Sequence, residues 1–340
     1  MEMLRRNTVI SWVSAVLIIS GVLGANLEAK GMRVATDRDE VYVTSGEQVL
    51  MRYRYKDVPY KPYVDQLFSP SGVNVLLDAP HDHLHHHALM YAIKVDGVNF
   101  WEEQQAPGRQ AHRRFDDVKV DTREDVPFAG FAERLDWVNP SSGELLLAEE
   151  RTIEVSQLAE PKVTLLTWQA AFEPAEAKKS VTLTGSHYHG LGLRFIRSMD
   201  ATGEFRNADG KAGTVFRGDE RLVRSRWCAY TAKADGGKDV TVAMFDHPGN
   251  ERHPATWFTM TKPFAYLSAT LKLHEQPLNV VSAKPLVLRY TVAIWDGRAE
   301  TDEIEKLYKH WTALPREATG AKSPCVHPNN LVHLVIKGLT

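Results

Sequence analysis

From Met32 onward the chain is dominated by short runs in which apolar and polar residues alternate. Residues 40–44 and 49–55 place Tyr and Val on alternate sides, which predicts β-strands. Runs 88–95, 118–121, 149–155, 163–172, 192–196, 240–245, 264–269 and 286–294 extend the series. Turn residues punctuate it at Pro140-Ser141-Ser142-Gly143, Asp209-Gly210, Asp235-Gly236-Gly237 and Pro248-Gly249-Asn250. One helix is expected near the end. Asp302 serves as its cap, Glu305 follows three residues later, and Ile304, Leu307, Tyr308 and Trp311 share a face. Strands at intervals of roughly 8–12 residues, with almost no helix, predict an all-β fold. The expected architecture is a large antiparallel β-sandwich with one short C-terminal helix. A prior of ~150 residues per domain suggests two domains. No Pro/Ser-rich linker divides the strands, so a single domain over residues 30–312 is expected, followed by a tail at 313–340.

The first 29 residues break this pattern. Arg5 and Arg6 precede an apolar run from Val9 to Gly24, and small residues offer cleavage after Ala25 or Ala29. This is the pattern of a secretory signal peptide. The alternative is an uncleaved anchor, against which Ser11, Ser14 and Ser20 weigh. No other stretch is apolar enough to span a bilayer, so a periplasmic or secreted protein, off the membrane after cleavage, is expected. Export would permit a disulfide between Cys228 and Cys325, with a buried free cysteine as the alternative.

A hydrophobic share of 43% and a charged share of 25% describe an ordinary globular chain. The net charge of −2 leaves no basic footprint for nucleic acid. Gly190-Leu191-Gly192 lacks the spacing of a dinucleotide fingerprint, so no nucleotide cofactor is expected.

Five of the fourteen histidines fall in His81-Asp82-His83-Leu84-His85-His86-His87. An extended backbone would set residues 81, 83, 85 and 87 on one side and His86 on the other. Imidazoles so placed can share a metal, and His83, His85 and a remote His253 are the candidate ligands for one divalent or copper ion. Alternatively, His85 and His86 transfer protons near neutral pH. A solvated His-rich loop is the third reading.

A second cluster is His187-Tyr188-His189-Gly190-Leu191-Gly192-Leu193-Arg194. Its glycines permit close backbone approach, and His187, Tyr188 and Arg194 are candidate substrate contacts. A loop entering a core strand is the plainer reading. The third cluster runs from Phe245 to Trp257. Asp246 and His247 can exchange protons, Asn250 and Arg252 can hold substrate, and Trp257 can stack on a sugar ring. A long turn that satisfies its own backbone is the alternative. Finally, Asn99-Phe100-Trp101-Glu102-Glu103 offers Trp101 and Glu102 as substrate contacts. Adjacent strand residues face opposite ways, so at most one of Glu102 and Glu103 would enter a site.

These clusters, in this order, resemble the PmoA family, bacterial proteins labelled methane oxygenase. The family's Asp-His-Pro-His-His-Arg-Gly-Leu is similar to Asp82-His83-Leu84-His85-His86-His87-Ala88-Leu89, with departures at Leu84, His87 and Ala88. Its Asn-Gly-Val-Asp-Phe-Trp is similar to Asp96-Gly97-Val98-Asn99-Phe100-Trp101. Its Asp-His-Pro-x-Asn-x-Arg-His-Pro is similar to residues 246–254, and the resemblance extends over about residues 40–312. The strand-rich length also resembles the supersandwich of galactose mutarotases, in which His and carboxylate groups act on sugars. Three readings follow. The first is an exported carbohydrate-active protein using His and carboxylate acid/base chemistry on a sugar or oligosaccharide. The second is a metal-dependent oxygenase, as the label implies, and the third is a non-catalytic glycan-binding module.

Overall fold

The structure, a computed structural model, describes residues 31–314 and the backbone of residues 26–29. Most of the expected signal segment, most of the tail, and Cys325 lie outside the described residues. Asn26–Ala29 pairs with Met32–Asp37 as the outermost strand of a sheet, so cleavage after Ala25 would keep that strand and cleavage after Ala29 would remove it.

The fold is all-β. Eleven strands form one antiparallel sheet, eight form a second, and four short strands form a third. The first two sheets face each other across the main core. Val41, Val43, Leu191, Leu193 and Leu267 enter it from one side, and Phe131, Leu135, Leu166, Trp168 and Val292 from the other. Each such side chain contributes about 1.5–3 kcal/mol by leaving water.

The alternating patterns at 40–44 and 49–55 become the strands Glu40–Ser45 and Gln48–Arg54. The eight-stranded sheet carries a meander of longer strands: Arg109–Arg123, Val126–Asn139, Glu144–Leu158 and Val163–Pro174. A buried ionic knot interrupts their alternation. Arg151, fully buried, donates from Nε to Glu149 (2.7 Å), from Nη1 to the Tyr53 hydroxyl (3.0 Å) and from Nη2 to Gln110 (3.0 Å). Because Tyr53 belongs to the opposite sheet, this knot ties the two layers together.

The helix runs over Thr301–Ala313 and lays Ile304, Leu307, Tyr308 and Trp311 on the outer face of the eight-stranded sheet, against Trp227, Phe245, Ala293 and Trp295. Its cap is Glu300 and not Asp302. Thr301 is already helical, and Asp302 sits in the first turn, where a carboxylate favours the positive helix end. Glu305 reaches away from the helix to accept from Trp227 Nε1 at 2.8 Å.

Strands Leu89–Ala92, Gly190–Arg194, Tyr266–Thr270 and Thr256–Met260 form the middle of the eleven-stranded sheet and are buried on both faces. Register fixes which side chains face outward. Gly192 and Phe258 both pair with Ser268, and Arg194 and Met260 both pair with Tyr266. Leu191, Leu193 and Leu267 point the other way into the core. The loops carrying the first two histidine clusters cover that outward face.

Candidate active site

The histidine-rich segment is not a strand. His83 N bonds to Pro80 O (2.8 Å) and His86 N to His83 O (2.9 Å), so the chain makes successive turns. The side-to-side alternation expected of residues 81–87 is therefore replaced by a different grouping. His83 and His86 stack with centroids 4.6 Å apart, and His85 stands edge-on to His86 at 4.6 Å. His87 points away, with Nδ1 and Nε2 each 2.9 Å from Asp78 and Glu103 carboxylate oxygens. Burial opposes charge on His87, but those two bonds outweigh it and hold its pKa above the ordinary value. His81 lies at the surface, where Arg197 donates to it.

At the joint between this loop and the strand Leu89–Ala92, Ala88 adopts φ 44°. This left-handed conformation favours glycine over alanine.

His83, His85 and His86 line a cavity of about 280 Å³ together with Trp101, Glu102, Tyr188, Arg217, Glu220, Phe258, Met260, Phe264 and Tyr266. That is just below the ~300–1,000 Å³ of ordinary small-molecule sites. Asn99 shapes one wall: its Oδ1 accepts from the backbone N–H groups of Trp101 (3.0 Å) and Glu102 (3.2 Å). The resulting turn sends Glu102 into the cavity and Glu103 back to Lys61 and His87. The Tyr188 hydroxyl donates to Glu102 Oε1 at 3.0 Å, and His85 Nε2 lies 3.6 Å from Glu102 Oε2. Glu220 accepts from His187 Nε2 at 3.0 Å and is paired with Arg217.

The imidazoles are tuned by burial. His86 is pushed down to about 2 by desolvation, with His85 and His83 adding to the effect. His85 is lowered as well, mainly by burial, although Glu102 pulls it upward. His189, stacked flat on Trp101 at 5.0 Å, falls to about 3. These rings are thus neutral near pH 7. Burial also raises the Tyr188 hydroxyl to about 12, so it remains a donor.

Gly192 is fixed by sterics. A Cβ there would lie 2.0 Å from the Tyr266 hydroxyl and 2.9 Å from the Trp101 ring. Only a bare backbone lets those two aromatics form the floor.

The third cluster does not join this cavity. Asp246 is buried and accepts from Asn250 Nδ2 (2.7 Å), His253 Nδ1 (2.6 Å) and the Ala255 N–H (2.8 Å). Arg252 donates to the carbonyls of Leu271, Gln276 and Pro277. His247 accepts from the Gly249 N–H and packs near Trp311, under the helix. Trp257 points into the core and donates to Ser225 O. Asp246, His247, Asn250, Arg252 and Trp257 therefore brace a loop, because buried backbone groups in a long turn need partners. Arg194 is also displaced from its expected role. It lies 3.6 Å over the Phe264 ring, about 4.0 Å from Asp82 and Asp200, and does not line the cavity.

The expected metal set of His83, His85 and His253 is not brought together: His83 and His85 line the cavity, whereas His253 does not and is engaged by Asp246. Among the described residues, no group of three or more His, Cys, Asp or Glu side chains is arranged to hold a metal ion. Cys228 is buried in the core.

The sequence reading missed Arg217, Glu220, Phe258, Met260, Phe264 and Tyr266. Only Phe264 and Tyr266 carried a signal, their spacing of two in a run read as a strand.

Comparison with known proteins gives limited likenesses. No curated protein matches the chain. The GH36 α-galactosidase AgaA of Geobacillus stearothermophilus is similar at 11% identity and a TM-score of 0.37, over 81% of this chain and 41% of its own. AgaB of the same organism is similar at 9% identity and a TM-score of 0.37, over the same shares. The chain thus spans about two fifths of those galactosidases. A galactose mutarotase related enzyme from Lactobacillus acidophilus is similar at 8% identity and a TM-score of 0.32, over 83% of this chain and 99% of its own. The model of DUF6807, a family of unknown function, matches residues 40–309, most of the described sandwich, and the chain belongs to that family.

Proposed function

We propose that the cavity binds a sugar and transfers protons at one of its oxygens, in an exported protein. The observation that carries this reading is the trio of His85, Glu102 and Tyr188. A carboxylate held by a tyrosine hydroxyl stands beside an imidazole that burial keeps neutral. A neutral imidazole can accept a proton, and a neighbouring carboxylate stabilises the imidazolium that results. The Tyr188 hydroxyl positions Glu102 and keeps one of its oxygens occupied.

The surroundings support a sugar as the reacting molecule. Phe258, Met260, Phe264 and Tyr266 give the cavity an apolar lining suited to ring C–H groups. His83, His85, Glu102, Tyr188, Arg217 and Glu220 add polar side chains to the same lining, which suits a hydroxyl-rich ligand. Glu220 supplies a second carboxylate to the lining.

The test is a panel of mono- and disaccharides, screened by saturation-transfer NMR for binding and by polarimetry and product analysis for conversion. The wild-type protein should bind and convert at least one sugar. His85→Ala and Glu102→Gln should each lower kcat by roughly 10²-fold or more while the circular dichroism spectrum is unchanged. Full turnover by Glu102→Gln would overturn the assignment. Saturable binding without conversion would make the protein a glycan-binding module.

A further inference from the structure

Next to the first cavity lies a second of about 460 Å³, and the two share Glu102 and Tyr188 as a common wall. Its chemistry is different. Lys94 lines it from the short strand Lys94–Val95, and its ammonium has no carboxylate partner among the described residues. Asn99 uses its Oδ1 on two backbone N–H groups, which leaves its amide hydrogens as donors. His274 has a buried Nδ1 without a partner. His187 donates to Glu220 and stacks on Phe216 at 3.7 Å, while Phe216 itself stays 46% exposed. Burial lowers both His187 and His274, so Lys94 carries the positive charge in this cavity. The carboxylate that also lines this cavity, Glu102, is already engaged by Tyr188 and lies beside His85. Glu220, behind His187, is paired with Arg217.

We propose that this second cavity is a subsite for an acidic sugar unit, with Lys94 binding a ring-borne carboxylate or sulfate and Phe216 providing a stacking face. An unpaired ammonium beside neutral donors suits an oxyanion. An exposed aromatic wall suits a pyranose ring. A ligand filling both cavities crosses the Glu102–Tyr188 wall. The substrate class is then an oligosaccharide whose acidic unit adjoins the reacting one. This extension rests on the sugar reading of the first cavity.

The test titrates the purified protein with glucuronate, glucose 6-sulfate and neutral methyl glucoside, following the imidazole NMR signals of His187 and His274. One or both anionic sugars should shift those signals at concentrations where methyl glucoside does not. Lys94→Met should weaken the anionic sugar by roughly tenfold or more, the size of one charge-assisted hydrogen bond, and leave neutral sugars unaffected. A larger effect with glucuronate assigns a uronate, and a larger effect with glucose 6-sulfate assigns a sulfate ester. Equal binding of charged and neutral sugars, no binding of either anion, or no effect of Lys94→Met overturns the subsite. The two proposals fail separately. Lys94-dependent binding of an anion with no sugar converted would leave the subsite standing without the catalytic reading. Conversion of a neutral sugar by a protein indifferent to both anions would do the reverse.

Discussion

His86 provides a quantitative check on the electrostatics of the cavity. Its imidazole sits against Trp101, Phe264 and Tyr266, and desolvation pushes its pKa down to about 2 in the folded protein. In the unfolded chain a histidine takes up its proton near ~6.5. Below that pH the unfolded state binds a proton that the folded state refuses, so stability falls as pH falls. The loss begins near 6.5 and continues towards about 2. At pH 5 it amounts to about 2 kcal/mol for this one group. His189, held at about 3, acts in the same direction and adds a similar amount. The perturbation is His86→Gln, which removes the titration and keeps a polar side chain. Urea unfolding, followed by fluorescence of the tryptophans at pH 8, 7, 6 and 5, gives the slope. A constant offset between the proteins reports altered packing and is irrelevant to the test. The variant should lose about 2 kcal/mol less than the wild type between pH 8 and pH 5. Parallel curves would mean that His86 protonates in the folded state, and the neutral-imidazole description of the cavity would be wrong.

Four further outcomes are expected. Ala88→Gly should raise stability by about 1 kcal/mol in thermal denaturation, because φ 44° strains an alanine; a lower melting temperature would refute the strain. Gly192→Ala should cost roughly 1–3 kcal/mol and abolish sugar binding, since the new methyl collides with the Tyr266 hydroxyl; unchanged affinity would show that the floor can shift. Asp246→Asn should cost roughly 1–3 kcal/mol in urea unfolding by weakening its hold on His253, yet leave sugar affinity intact in the folded fraction; lost affinity would return the third cluster to the site. Chelator treatment should leave the proposed sugar turnover unchanged, because His253 is held by Asp246 away from the cavity that His83 and His85 line. A stoichiometric metal that disappears in His83→Ala would refute this.

Periodicity and punctuation alone determined the class of fold. Residues 286–294 read as a strand through a run of apolar and β-branched residues buried on both faces. Residues 40–44 and 49–55 alternate because one face of each strand meets apolar core, and that constraint acts within a few neighbouring residues. The helix was legible for the same reason, through Ile304, Leu307, Tyr308 and Trp311 on one face. Local chemistry also marked the segments in which His85, Glu102 and Tyr188 lie. Only the tertiary structure decided which of the marked residues meet. His83 and His86 stack because turns replaced a strand, and turns depend on where Pro80 and Ala79 are anchored. Tyr188 reaches Glu102 across a separation of 86 residues, which no local pattern encodes. The Asp246 cluster looked like chemistry because Asp, His, Asn and Arg are polar whatever they do. Burial turned those groups inward to satisfy a loop. Arg217 and Glu220 went unnoticed because ordinary charged residues carry no signal until the fold brings them to a shared wall. A sequence states which groups are available and how the nearby backbone runs, whereas proximity and desolvation, which set pKa values and pairings, arise only when distant strands pack.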